Sequence, residues 1–256
     1  MKNPVILVGV GEMGSVFARG ILRLGYPVIP VTREMDMQEV AADYPEPQLV
    51  LVSVAENDLH PVLEKLPTQW HDRVGLLQNE LLPRDWNKHS FNNPTVISVW
   101  FEKKKGQDFK VLIPSPAFGP QAQLLTDALA TLDIPARVVA DENALLNELV
   151  IKNVYILTTN ICGLITEGDV NDLWQNHQPL ATQVANEVID LQEWLTQSTF
   201  DREQLLKGFV EGIDGDLQHM CMGRSAPGRL TRALGLADEA GLAVPKMREI
   251  HAARVI

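Results

Sequence analysis

Residues 5–24 read VILVGVGEMGSVFARGILRL. Residues 5–10 form a short apolar run that suits a strand buried on both faces, and an amphipathic helix is predicted from about 13 to 24. Between them, Gly9, Gly11 and Gly14 fit G-x-G-x-x-G. That spacing matters where a strand runs into a helix. The first glycine permits the tight turn, the second lets a pyrophosphate approach the backbone, and the third lets helix and strand pack closely. The free N–H groups and positive dipole end of the helix then hold the phosphates. Gly9, Gly11, Glu12, Met13 and Gly14 are therefore candidate cofactor contacts, the alternative being a glycine-rich turn that binds nothing.

Outward from this stretch, short apolar runs alternate with helical patterns. Strands are predicted at 28–31, 49–54 and 74–77, with helices near 35–42 and 59–66. Such alternation implies right-handed crossovers and a mostly parallel sheet covered on both faces. Residues 96–101 and 109–113 flank KKKGQD and read as an antiparallel hairpin appended to the sheet. PSPAFGP (114–120) reads as a rigid loop, 121–132 as a helix and 136–140 as a last strand. Strand signals then vanish. Helices are expected at 142–165, 179–197, 201–221 and 229–241, the last closed by GLAVP (241–245). The fold class is α/β: a Rossmann-type dinucleotide-binding domain over 1–140, followed by an all-helical domain over 141–256.

The 256 residues carry 22 Lys+Arg against 33 Asp+Glu, a net charge of −11, which speaks against nucleic acid as a partner. Lys103, Lys104 and Lys105 are too short a run to change that. Two cysteines, Cys162 and Cys221, are too few for a disulfide framework and suit a reducing compartment. A glycine turn stands where a signal peptide would carry its cleavage site. No uninterrupted apolar stretch reaches the ~20 residues of a membrane span. A cytoplasmic protein is expected. The six histidines lack metal-ligand spacing, so no metal site is expected.

The second strand ends in Thr32-Arg33, with Glu34 next. Arg33 offers a planar, always-charged fork for a 2′-phosphate and Thr32 a hydroxyl, which favours NADP(H). If Glu34 instead takes the ribose 2′-hydroxyl, NAD(H) is the cofactor. Val54, closing the third strand, borders the same edge. Gln78-Asn79 ends the fourth strand at the carboxyl edge, where open α/β sheets bind ligands, and Asn79 can bond a carboxamide or a substrate oxygen there. On the apolar helix 149–161, Lys152, Ile156 and Asn160 share one face, with Thr159 beside them. A lysine and an amide there need partners or a wet cleft. Lys152 can donate a proton to a carbonyl as it becomes an alcohol. Asn160 reads as a substrate contact or as a satisfied core amide. Among Arg224, Arg229 and Arg232, Arg224 is the candidate to clamp a substrate carboxylate; taken singly, each reads first as a solvated arginine on a C-terminal helix.

Taken together, these residues resemble the ketopantoate reductase family. The glycine loop, Arg33, Gln78-Asn79, Lys152 with Asn160, and Gly241-Leu242-Ala243-Val244-Pro245 carry the resemblance in order. It implies an NADP(H)-dependent oxidoreductase with Lys152 as proton donor, Asn79 orienting nicotinamide and substrate, and Asn160 binding substrate. Gly9, Gly11, Gly14 and Arg33 would hold the cofactor. The chain departs from the family at several places. Ala55 or Glu56 stands where a lysine is usual, and Ile156 where a second asparagine is. His219-Met220 replaces a Ser-Met pair, and the acid that follows it has no counterpart. The segment between the second and third strands lacks an inserted hairpin. The reading is a reductase of a small carbonyl compound, a 2-keto acid first, with a homodimer as candidate assembly. Its rivals are a reductase of another substrate such as an imine, and a non-catalytic dinucleotide-binding sensor.

Overall fold

The computed structural model describes residues 2–91 and 93–254. The chain divides into two compact units between Leu146 and Asn147.

The first unit opens with β1 (Val5–Val8), α1 (Glu12–Arg23), β2 (Val28–Val31), α2 (Met37–Asp43) and β3 (Leu49–Val52). A 3-10 turn, Glu56–Asp58, leads into α3 (Leu59–Leu63), and a second, Thr68–Arg73, into β4 (Val74–Leu76). Then come α4 (Pro83–Asn87), β5 (Thr95–Ile97), β6 (Phe101–Lys103), β7 (Phe109–Val111), β8 (Ser115–Phe118), α5 (Ala122–Ala130) and β9 (Ala136–Val138). The main sheet runs β2-β1-β3-β4-β5-β8-β9. Its first five strands are parallel, β8 pairs antiparallel with β5, and β9 pairs parallel with β8.

All residues of β1 and β3 are buried, as unbroken apolar strands in a doubly covered sheet should be. Val5 and Leu7 pack in one cluster with Phe17 and Ile21 of α1 and Leu125 and Leu129 of α5. Phe17 and Ile21 are fully buried, each stabilising the unit by about 1.5–3 kcal/mol. The proline of VIPV is tolerated because β2 is an edge strand.

Two expectations fail in this unit. The apolar run 96–101 is not one hairpin arm. Its first part belongs to β5 in the main sheet, and only Phe101–Lys103 pairs with β7 in a separate two-stranded ribbon. Residues 96–101 are buried throughout, so hydropathy alone gives no break between the two strands. Nor is 114–120 a loop. Pro116 has no N–H to donate, but its carbonyl accepts the Ser98 N–H at 2.9 Å and the Ala117 carbonyl accepts that of Val139 at 2.9 Å. The strand is thus held on both sides despite its proline.

The second unit takes in α6 (Glu142–Thr166) from Asn147 onward, α7 (Val170–Asn176), α8 (Gln178–Thr196), α9 (Arg202–Gly215), α10 (Ala226–Ala240) and α11 (Pro245–Ala253). α6 is long and apolar enough to cross a membrane, but 72% of that window is buried, as in a core helix. α9 stops at Gly215, so the expected helix to 221 gives way to a loop that carries His219. GLAVP does more than close a helix. Gly241 caps α10 in the left-handed region (φ 68°), and Pro245 opens α11, where its missing N–H is no loss. Glu187 of α8 caps α11 by accepting the N–H groups of Lys246 (2.7 Å) and Met247 (2.8 Å).

Candidate active site

The carboxyl ends of β2, β1 and β3 lie side by side, with Val8 opposite Val31 and Val52. Gly9 turns the chain out of β1 at φ +91°, and its N–H bonds the Val31 carbonyl at 3.0 Å. A Cβ on Gly9 would lie 2.9 Å from Val54 Cγ1. Gly14 packs tighter still. A Cβ there would stand 2.5 Å from both the Gly9 carbonyl oxygen and Ser53 Oγ. Ser53, which the sequence reading did not single out, locks the loop by donating its hydroxyl to the Gly9 carbonyl.

Gly11 differs from both. Its backbone is extended (φ −80°, ψ −170°), a conformation open to any residue, and a Cβ there would meet nothing within 4 Å. It caps α1 without a side chain, so the first-turn N–H groups of Glu12, Met13 and Gly14 receive no side-chain cap from it. The loop is closed toward the strands and open at the helix N-terminus, the arrangement that cradles an anion. Glu12 is not a bare carboxylate in this setting: Lys103 Nζ from β6 lies 3.0 Å from its Oε2.

At the end of β2, Arg33 Nη2 lies 2.8 Å from Asp58 Oδ2, a residue of the turn after β3. Thr32 Oγ1 donates to Glu34 Oε2 at 2.8 Å, and this bond is the main reason the exposed Glu34 carboxyl is held below the usual carboxylate range. The strand end thus combines one guanidinium with two carboxylates.

Gln78 and Asn79 follow β4 on the same edge. Gln78 is buried, donates to the Val52 carbonyl at 2.8 Å and accepts the Leu77 N–H at 3.1 Å, so it braces the exit of β3. Asn79 is half-buried in a turn whose next residue, Glu80, is left-handed (φ 61°).

In the helical unit, α6 buries Asn153, Thr158, Thr159 and Asn160. Lys152 is half-buried and Asn153 donates to Gln192 of α8 at 2.9 Å. The Tyr155 hydroxyl lies 2.7 Å from His219 Nδ1, the two rings stacked nearly parallel. Asn160, 9% exposed, donates to the Cys221 carbonyl at 3.0 Å and accepts from Arg229 Nη1 at 2.8 Å. Arg224 is exposed before α10, whereas Arg229, on the helix, is the buried arginine of the three singled out. Burial pushes the Cys221 thiol up to about 12 and Cys162 higher still, so neither is a thiolate nucleophile at neutral pH. Among the described residues, no three His, Cys, Asp or Glu side chains gather as a metal site requires.

Fold and edge geometry together define a dinucleotide-type α/β unit followed by a helical unit. No family model and no curated protein sequence matches the chain. Solved structures do. A 2-dehydropantoate 2-reductase from Methylococcus capsulatus superposes with a TM-score of 0.66 at 12% identity, over 98% of this chain and 95% of its own. A D-mandelate dehydrogenase in complex with NADH gives 0.66 at 14%, over 98% and 97%. A dimeric ketopantoate reductase from Staphylococcus aureus gives 0.63 at 15%, over 97% and 96%. The chain has the ketopantoate reductase fold over nearly its whole length.

Proposed function

We propose that this chain is a nicotinamide-dinucleotide-dependent reductase of a small carbonyl compound, with 2-keto acids as the substrate class. The observation that carries the reading is the glycine loop: packed to the limit at Gly14, and open at Gly11 beside N–H groups without a side-chain cap. The fold it shares with 2-dehydropantoate 2-reductases and an NADH-bound D-mandelate dehydrogenase supports the same chemistry. NADP(H) is the cofactor that Arg33 and Thr32 favour, through a charged fork and a hydroxyl for a 2′-phosphate; NAD(H) is the alternative.

The nicotinamide, when bound, supplies the hydride. The chain's own groups do the rest. Lys152 donates a proton to the carbonyl oxygen, Asn79 orients the reacting groups, and Asn160, held in one orientation by Arg229 and Cys221, contacts substrate. The setting proposed is a cytoplasmic enzyme acting as a homodimer. Oxidation of NADPH and NADH over a panel of 2-keto acids and cyclic imines tests the reading, with Lys152→Ala alongside. A keto acid turned over by wild type, with kcat reduced roughly 10²–10⁴-fold in the variant, is the expected result. Turnover of imines alone moves the substrate class.

A non-catalytic dinucleotide-binding protein is the second reading. What favours it is the use of Asn160's amide within the protein, by Arg229 and the Cys221 carbonyl. It requires cofactor binding with no turnover on any substrate of the panel.

A further inference from the structure

Arg33 is the cation placed to meet a 2′-phosphate, yet its guanidinium is already in an ion pair. Nη2 lies 2.8 Å from Asp58 Oδ2, with the arginine side chain 87% exposed and the aspartate 43%. Asp58 ends a 3-10 turn closed by its own N–H bonding the Ala55 carbonyl at 2.9 Å, and that turn begins four residues after Val52, the last residue of the strand that flanks β1. Glu34 adds a second carboxylate at the same strand end, tied to Thr32 at 2.8 Å. A 2′-phosphate entering here carries close to two negative charges. It must take Arg33 from Asp58 and approach two carboxylates. A ribose 2′-hydroxyl faces neither demand, since it can donate to a carboxylate and needs no cation.

We propose that Asp58 is a selectivity-determining residue of the cofactor site, which competes with the 2′-phosphate for Arg33 and so narrows the preference for NADP(H) over NAD(H). The proposal rests on the dinucleotide reading above. In it Arg33 remains the phosphate ligand, and Asp58 is the internal anion that the phosphate displaces. The competition is electrostatic and exposed, so it is modest in size and screened by salt.

The experiment is calorimetric titration of wild type, Asp58→Asn, Arg33→Ala and the double variant with NADPH and with NADH, at low salt and at about 1 M salt, where the Debye length is about 3 Å. Asp58→Asn should tighten NADPH roughly three- to tenfold and NADH by less. The gain should vanish in the Arg33→Ala background and shrink at high salt. An unchanged or weakened NADPH affinity overturns the competition, because Asp58 then positions Arg33 instead of opposing the ligand. Equal gains for both cofactors, or a gain that survives loss of Arg33, overturn it too. In those cases the dinucleotide reading stands. Binding of neither cofactor by any of the four proteins overturns both.

Discussion

Lys103 Nζ, from the short β6–β7 ribbon, lies 3.0 Å from Oε2 of Glu12, the first residue of α1. The same ammonium donates to the backbone carbonyls of Lys104 and Gln107, which holds it in place. A carboxylate in the first turn suits the helix dipole but opposes an incoming pyrophosphate, and Lys103 offsets that charge. Lys103→Ala should therefore weaken dinucleotide binding roughly threefold to tenfold at low salt. Glu12→Gln in the same background should restore most of it, as fluorescence titration of the two variants would read.

The contact between Gly14 and Ser53 is a packing constraint. A methyl group 2.5 Å from the Gly9 carbonyl and Ser53 Oγ would push apart backbone that cannot yield cheaply. Gly14→Ala should lower unfolding stability by about 1–3 kcal/mol, measured by urea denaturation. Ser53→Gly in the same chain should recover only part of this, because the carbonyl clash remains.

Arg229 and Asn160 are both nearly buried, and each satisfies the other. Arg229→Met leaves the Asn160 oxygen short of a donor and should reduce stability by about 1–3 kcal/mol. Asn160→Leu should cost a similar amount singly, and the double variant less than the sum, a coupling that a thermodynamic cycle measures.

Stability should also fall with acid through His89. Partial burial is the main cause of its lowered pKa, aided by the nearby His60 (ring nitrogens 3.0 Å apart) and Lys88, against Glu64 and Asp85, which raise it. A base whose folded pKa is depressed resists protonation in the folded state only. Its contribution is complete above the ordinary histidine value of 6.5 and is lost as pH falls from there through the folded value. Comparing urea unfolding at about pH 7.5 and about pH 5.5, His89→Gln should flatten the acid loss seen in wild type.

The part of this architecture readable from sequence is the part set by local pattern. The change from strand to helix at the glycine loop is marked by periodicity and by residues whose backbone role is nearly unique. The long helix with Lys152 and Asn160 is marked by its apolar surround. β8 is hidden because the prolines of PSPAFGP speak for a loop, while Pro116 itself is held in the sheet through its carbonyl. The break between β5 and β6 was hidden because burial continues across it. α7 and α11 are short, and their caps, Asp169 and the left-handed Val244, decide them more than any periodicity. Ser53 meets Gly9, Asp58 meets Arg33 and Lys103 meets Glu12 only in the folded unit, and no local signal in the sequence links the members of these pairs. Arg229 differs from Arg224 in its burial on α10 and its bond to Asn160, which spacing alone does not reveal.

Whether the open face of the glycine loop holds a dinucleotide is decided by titrating wild type and Gly11→Ala with NADPH and NADH while measuring each protein's unfolding stability. Gly11 has an ordinary backbone conformation and room for a methyl group, so the variant should fold as wild type within about 0.5 kcal/mol. It should nonetheless lose dinucleotide affinity by tenfold or more, because the methyl occupies the approach to the N–H groups. Equal affinity in wild type and variant, or no binding by the wild type, would contradict a dinucleotide site there.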